Sequence, residues 1–140
     1  MEKIMNSKII TYNKMVNYWE TDKMGIVHHS NYVKWFEEAR CHFLRECGIP
    51  YNEVEKSGIL LPVYELSIKY LKPAFFEQNI SIDVSIKELT PVKLTLCYIV
   101  RRDNETLAKG HTIHPFTDEN LKPVRNSKVF LLLEKVLYSN

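Results

Sequence analysis

No stretch of the 140-residue chain approaches 18 consecutive apolar residues, so none is suited to span a bilayer as a helix. The opening run Met1-Glu2-Lys3-Ile4-Met5-Asn6-Ser7-Lys8 has no uninterrupted apolar segment, which argues against a secretory signal. Basic residues form no stripe. Arg101-Arg102 is the only adjacent basic pair, and a net charge of +2 is too small to call for nucleic acid. The three cysteines, Cys41, Cys47 and Cys97, are an odd set without a C-x-x-C spacing. That argues against a disulfide framework or a zinc site and fits reduced thiols in a cytoplasmic protein. The chain also lacks a G-x-S-x-G element, which argues against an α/β-hydrolase. It has no internal repeat, no low-complexity segment and no linker.

What remains is an ordinary globular composition, 45% apolar and 26% charged, with length for one domain over residues 1–140. A chain of this size buries about 68–70% of its unfolded surface. Ile9 to Trp19 reads as a first strand, with Ile10, Tyr12, Val16 and Tyr18 on one parity. Residues 20–30 form a loop. Asn31 to Cys47 reads as a helix of about five turns, started by Ser30 or Asn31 and stopped by Gly48 and Pro50. Its apolar arc covers roughly half the wheel, wider than a surface helix needs, and Arg40 falls inside it with Glu37 as the nearest partner.

Tyr51 to Lys56 makes a short helical turn. Four alternating segments follow: Val63 to Leu71, Asn79 to Leu89, Val92 to Val100 and Thr106 to Phe116. Turns at Pro73, Thr90-Pro91 and Asp103-Asn104 separate them, a spacing that predicts consecutive antiparallel pairing. A last helix begins at Ser127 with Val129, Leu132, Leu133, Val136 and Leu137 on one stripe. An antiparallel sheet that buries one face needs a cover, and the helix from Asn31 is the one element able to supply it.

The chemistry concentrates in Tyr18-Trp19-Glu20-Thr21-Asp22-Lys23-Met24-Gly25-Ile26-Val27-His28-His29-Ser30-Asn31-Tyr32. Here a carboxylate, Asp22, sits one short loop away from the amide-rich start of a helix. A carboxylate can activate water, and helix-start amides stabilise negative charge on oxygen. Taken alone, Asp22 reads first as a turn-forming or capping aspartate, which loops use often. Glu20 reads as structural. Thr21, Gly25, Asn31 and Tyr32 share the turn and either hold substrate or fix the loop. His111 and His114, three apart on a strand, face opposite sides and make a poor metal pair.

This stretch, followed by Phe36-Glu37-Glu38-Ala39-Arg40, resembles the signature of the 4-hydroxybenzoyl-CoA thioesterase family of hot-dog-fold acyl-CoA thioesterases. The resemblance is dense over about 25 residues, and the element order agrees over nearly the whole chain. It implies an α+β hot-dog fold: a curled antiparallel sheet of about five strands around one long central helix, with a short C-terminal helix. It also implies hydrolysis of acyl-CoA, or acyl carrier protein, thioesters without metal or organic cofactor. By position, Asp22 matches the catalytic aspartate, acting as general base or nucleophile, and His29 the residue whose backbone N–H polarises the carbonyl. The turn Thr90-Pro91-Val92-Lys93 carries one basic residue, Lys93, where aryl-CoA members carry a run that grips the CoA phosphates. A homodimer or homotetramer with the substrate tunnel between subunits is implied as well. The competing readings are a hydroxyacyl dehydratase on the same fold and a non-catalytic acyl-CoA-binding module.

Overall fold

The computed structural model describes residues 2–3 and 8–138. Among the described residues six strands form one antiparallel sheet: β1 (Glu2–Lys3), β2 (Ile10–Met15), β3 (Glu65–Tyr70), β4 (Asn79–Thr90), β5 (Lys93–Arg102) and β6 (Glu105–Pro115). The same residues form three α-helices, α1 (Asn31–Glu46), α2 (Tyr51–Lys56) and α3 (Lys128–Tyr138).

The long helix is where the apolar periodicity places it. Tyr32, Trp35, Phe36, Ala39, Arg40, Phe43 and Leu44 are its buried face, the i, i+3, i+4, i+7 pattern of a covered stripe. Burying each of its large apolar side chains contributes roughly 1.5–3 kcal/mol. The helix stops in a Schellman arrangement. Gly48 takes φ +81, a left-handed conformation costly for other residues, and Ile49 N–H reaches back to the Leu44 carbonyl at 2.8 Å.

The strands β4, β5 and β6 pair consecutively, with Val84 opposite Tyr98 and Leu96 opposite Thr112. Even-numbered residues from Ile80 to Ile86 and from Leu94 to Val100 are buried, and Ala108, Thr112 and His114 continue that face on β6. Tyr98 lies flat against the Phe36 ring, centroids 4.1 Å apart and planes 4° from parallel. That close approach depends on Gly110, directly opposite Tyr98 on β6. A Cβ there would stand 2.9 Å from the Phe36 ring and 2.1 Å from the Ser67 carbonyl oxygen.

Two expectations need correction. The strand β3 does not pair with β4. It crosses to the far side of the sheet and joins β6, Glu65 opposite Ile113 and Tyr70 opposite Ala108, while β1 and β2 line the other side of β4. Alternation fixes which way side chains point, not which neighbour a strand chooses. The strand expected over residues 9–19 is also shorter, being β2 (Ile10–Met15). After Met15 the chain leaves the sheet, and Tyr18–Glu20 forms a single 3₁₀ turn closed by Glu20 N–H to the Asn17 carbonyl, 3.0 Å.

A third adjustment concerns Arg40. Glu37 stands 4.0 Å away on the surface, but the close partner is the Tyr98 hydroxyl, which accepts from Nη1 at 3.2 Å. The bond begins a buried chain. Tyr98 and Thr112 hydroxyls are 2.7 Å apart, Thr112 is 2.7 Å from His114 Nε2, and His114 Nδ1 is 3.2 Å from the Leu61 carbonyl. The carbonyl only accepts, so Nδ1 carries the proton and Nε2 accepts from Thr112. Every hydrogen bond in the chain then runs one way. Burial, aided by the Arg40 charge, pushes the His114 imidazole down to about 4, which keeps it neutral.

Candidate active site

The loop between the 3₁₀ turn and α1 is held from beneath by Glu20. This carboxylate is buried and accepts from the Trp35 indole N–H at 2.7 Å, the Asn17 backbone N–H at 2.8 Å and the Lys14 ammonium at 3.1 Å. Burial by itself would raise its titration point. The three donors outweigh that and hold it below the usual carboxylate range.

Asp22 makes the turn. Its Oδ1 accepts from the N–H groups of Met24 (2.8 Å) and Ile26 (3.1 Å), and Gly25 closes the turn at φ +77 with its N–H on the Asp22 carbonyl. Among the described residues Oδ2 accepts no hydrogen bond, so one oxygen shapes the loop while the other is available to a ligand. The turn-forming and reactive readings of Asp22 are therefore compatible.

Asn31 sets the other end. Its side-chain amide donates to the carbonyls of Glu20 (2.9 Å) and His28 (3.2 Å), and its backbone N–H also donates to His28 (3.0 Å). The His28 carbonyl is thus pulled toward the helix. In a trans peptide the following N–H points the opposite way, so the His29 N–H is turned away from the helix start. Among the described residues it meets no acceptor. His28 Nδ1 accepts the Ser30 N–H at 3.2 Å and stands 2.8 Å from the Ser30 hydroxyl, and the two histidine rings stack at 4.3 Å.

A cavity of about 380 Å³ opens here, and Asp22, His29 and Tyr32 all line it, with Ile26, Val27 and His28 from the same loop. Its opposite wall is Tyr70, Leu71, Lys72 and Pro73, from the end of β3 and the segment after it. Tyr32 is itself almost fully buried, and burial pushes its phenol up to about 12, so the hydroxyl stays protonated. Thr21 and Asn31 fix the loop, Thr21 through its hydroxyl on the Tyr18 carbonyl at 2.8 Å. Lys93 does not join them. It lines a second, more apolar depression with Tyr64, Val92 and Ile113 and stands 4.0 Å from Glu88.

Sequence reasoning offers Tyr70, with Trp19, Tyr64 and Phe75, as an aromatic that either lines a tunnel or fills the core, and it misses Leu71, Lys72 and Pro73 of the far wall. Tyr70, Leu71 and Lys72 lie about forty residues downstream, and no spacing within one strand announces which loop it will face. Lys72 is the basic side chain beside the cavity, tied to Glu105 at 2.6 Å. Among the described residues no group of three His, Cys, Asp or Glu side chains is arranged to hold a metal ion. Cys47 is half-buried, and the loss of solvent pushes its thiol up to about 11, which makes it a poor nucleophile.

The family profile described as the thioesterase-like superfamily matches residues 16–132, which takes in the loop, the helix and the sheet. The chain belongs to this superfamily. Among solved structures the chain is similar to the hypothetical protein TT1821 from Thermus thermophilus, 34% identical, covering 95% of this chain and 100% of that one, with a TM-score of 0.86. The gentisyl-coenzyme A thioesterase BH1999 is 30% identical over 83% of this chain and 94% of its own, TM-score 0.78. The 4-hydroxybenzoyl CoA thioesterase from Pseudomonas sp. strain CBS-3 shares the fold at 21% identity, covering 89% and 98%, TM-score 0.79. The thioesterase-like chain thus has the α+β hot-dog fold, its curled sheet wrapped on α1.

Proposed function

We propose that this chain is an acyl-CoA thioesterase, hydrolysing the thioester to a free acid and CoA, with an acyl carrier protein thioester as the close variant. The observation that carries this is the pairing, in one cavity, of Asp22 with an uncommitted Oδ2 and His29 with an uncommitted backbone N–H. A thioester carbonyl directed at the His29 amide would have its developing negative charge met by that donor and by the positive end of α1. Asp22 acts on the acyl carbon in one of two ways. It removes a proton from water, whose oxygen then bonds to that carbon while the carbon–sulfur bond breaks. Alternatively Oδ2 attacks and forms a mixed anhydride that water later opens. In both routes the thiolate of CoA leaves and takes up a proton.

Two features bear on the partners. The outer edge of β3 has no strand beside it among the described residues, and Tyr64, Leu66 and Leu71 are exposed around it. Such an edge needs covering, which supports a homodimer or homotetramer. Lys93 does not line the cavity of its own chain, so a grip on CoA phosphate there would come from a second copy. The unpaired cysteines and the lack of any helix long and apolar enough to cross a membrane among the described residues are in keeping with a cytoplasmic site of action.

The test is free-thiol release from short-, medium-, long-chain and aromatic acyl-CoAs by wild type and Asp22→Asn. Turnover by wild type and a loss of at least about a hundredfold in Asp22→Asn, the low end for a general base, supports the reading. Equal release by both leaves Asp22 as a turn residue only. Binding of acyl-CoA without release by either favours the non-catalytic module.

A further inference from the structure

The His29 segment is gripped from a direction that neither the loop nor the helix supplies. Tyr70, the last residue of β3, reaches across the cavity and donates its hydroxyl to the His29 carbonyl at 3.1 Å. The same carbonyl accepts the Tyr32 N–H at 3.2 Å. The Tyr70 ring meets Tyr32 edge-on, centroids 5.0 Å apart and planes at 87°, and stands 6.1 Å from the His29 ring at 78°.

These contacts divide the labour around one Cα. The peptide ahead of His29 is fixed through the His28 carbonyl by Asn31, and the peptide behind it is fixed through the His29 carbonyl by Tyr70 and Tyr32. With both flanking planes held, φ and ψ of His29 have little freedom, and the direction of its N–H is set. Without Tyr70 the second plane is held by a single helix-start bond from Tyr32, and the first turn of a helix is where such bonds fray. A donor aimed in advance at developing charge costs no reorganisation when the charge appears.

The geometry points to Tyr70 as a positioning residue, which fixes the His29 amide for the thioester oxygen by anchoring the helix start to the edge strand. It rests on the thioesterase reading and adds to it a residue outside the sequence motif. Tyr70 touches no reacting atom in this scheme; its role is exerted through His29.

Tyr70→Phe tests this, because the ring packing on Tyr32 stays and only the hydroxyl goes. With the acyl-CoA that wild type turns over, kcat should fall roughly tenfold, the scale of one well-placed hydrogen bond. KM should stay within about twofold and the thermal midpoint within about 2 °C, as expected for a change that spares uniform binding and the fold. An unchanged kcat overturns the assignment, as does a kcat loss accompanied by an equal rise in KM. Backbone amide spectra give a second readout that does not need activity. The hydroxyl's removal should shift the His29, Ser30 and Tyr32 amide resonances and speed exchange at Tyr32, and unmoved resonances overturn the proposal. If wild type and Asp22→Asn both fail on the whole substrate panel, the thioesterase reading fails, while the spectra still decide whether Tyr70 anchors the segment.

Discussion

The indole N–H of Trp35, on the second turn of α1, ends on the carboxylate of Glu20 at 2.7 Å, and the Lys14 ammonium lies 5.1 Å over the same indole ring. Helix, loop and β2 thus meet at one buried acid. Glu20→Ala would leave Lys14 and the indole donor without their partner. Breaking a buried pair in this way costs about 3–5 kcal/mol. Urea denaturation should show that loss, and Trp35→Phe, which orphans only one acceptor, should cost about 1–3 kcal/mol.

Asp22→Asn should fold as well as wild type. The amide oxygen of asparagine can take the place of Oδ1 and accept from Met24 and Ile26, so the thermal midpoint should stay within about 2 °C. Asp22→Ala removes the one oxygen that both N–H groups share and should cost about 1 kcal/mol, as losing a capping oxygen does. A large instability in Asp22→Asn would mean that its loss of activity reports folding, not chemistry.

Acid should weaken the protein through His114. The imidazole falls from an ordinary 6.5 to about 4 in the folded chain, so between these values the unfolded chain binds the extra proton. Stability is therefore complete above pH 6.5 and declines as the pH drops toward 4, by on the order of 3 kcal/mol. Glu20 and Asp83, both held below the usual carboxylate range, add a further loss at lower pH. Asp83 is subject to burial, which raises it, and to the stronger joint pull of Arg101 at 2.7 Å and Thr11 at 2.6 Å. In His114→Gln the slope of unfolding free energy between pH 6.5 and 4.5 should flatten. An unchanged slope would remove His114 as its source.

Gly110→Ala should destabilise by about 1–3 kcal/mol, the usual penalty for overpacking. Its methyl group would press on the Ser67 carbonyl of β3 and on the Phe36 ring together. The backbone cannot yield as a flexible side chain would, so β3 must shift from β6. Tyr70 moves with that strand, and activity should fall further than in an equally unstable variant elsewhere in the core.

The parts of this protein legible in its sequence are those written in local pattern. The stripe from Tyr32 to Leu44 announced a covered helix, and the alternation in 79–89 and 92–100 announced paired strands. The acidic turn and the histidines announced the loop. Partnership across long separations was not legible. Nothing in Glu65–Tyr70 says that it pairs with β6 instead of β4, nothing near Arg40 names Tyr98, and nothing in the motif names Tyr70. Each of these depends on where a remote segment lands. The structure also shows Glu20, read from sequence as structural, to be the buried hub of the loop.

The crossing of β3 to β6 also orders events in time. The segment 65–70 leaves the ribosome before the strand it will pair with exists, and must wait until residues 71–104 have turned back and forth beside it. Pairings this remote in sequence form slowly, because the chain closes a large loop before any contact rewards it. The helix and the β4–β5–β6 hairpins are more local and can assemble first. The hydroxyl that holds the His29 segment comes with the late strand. A chain refolding from urea should therefore bury Trp35 before it recovers its amide pattern at His29, and a compact, half-docked species would still lack the far wall of its cavity.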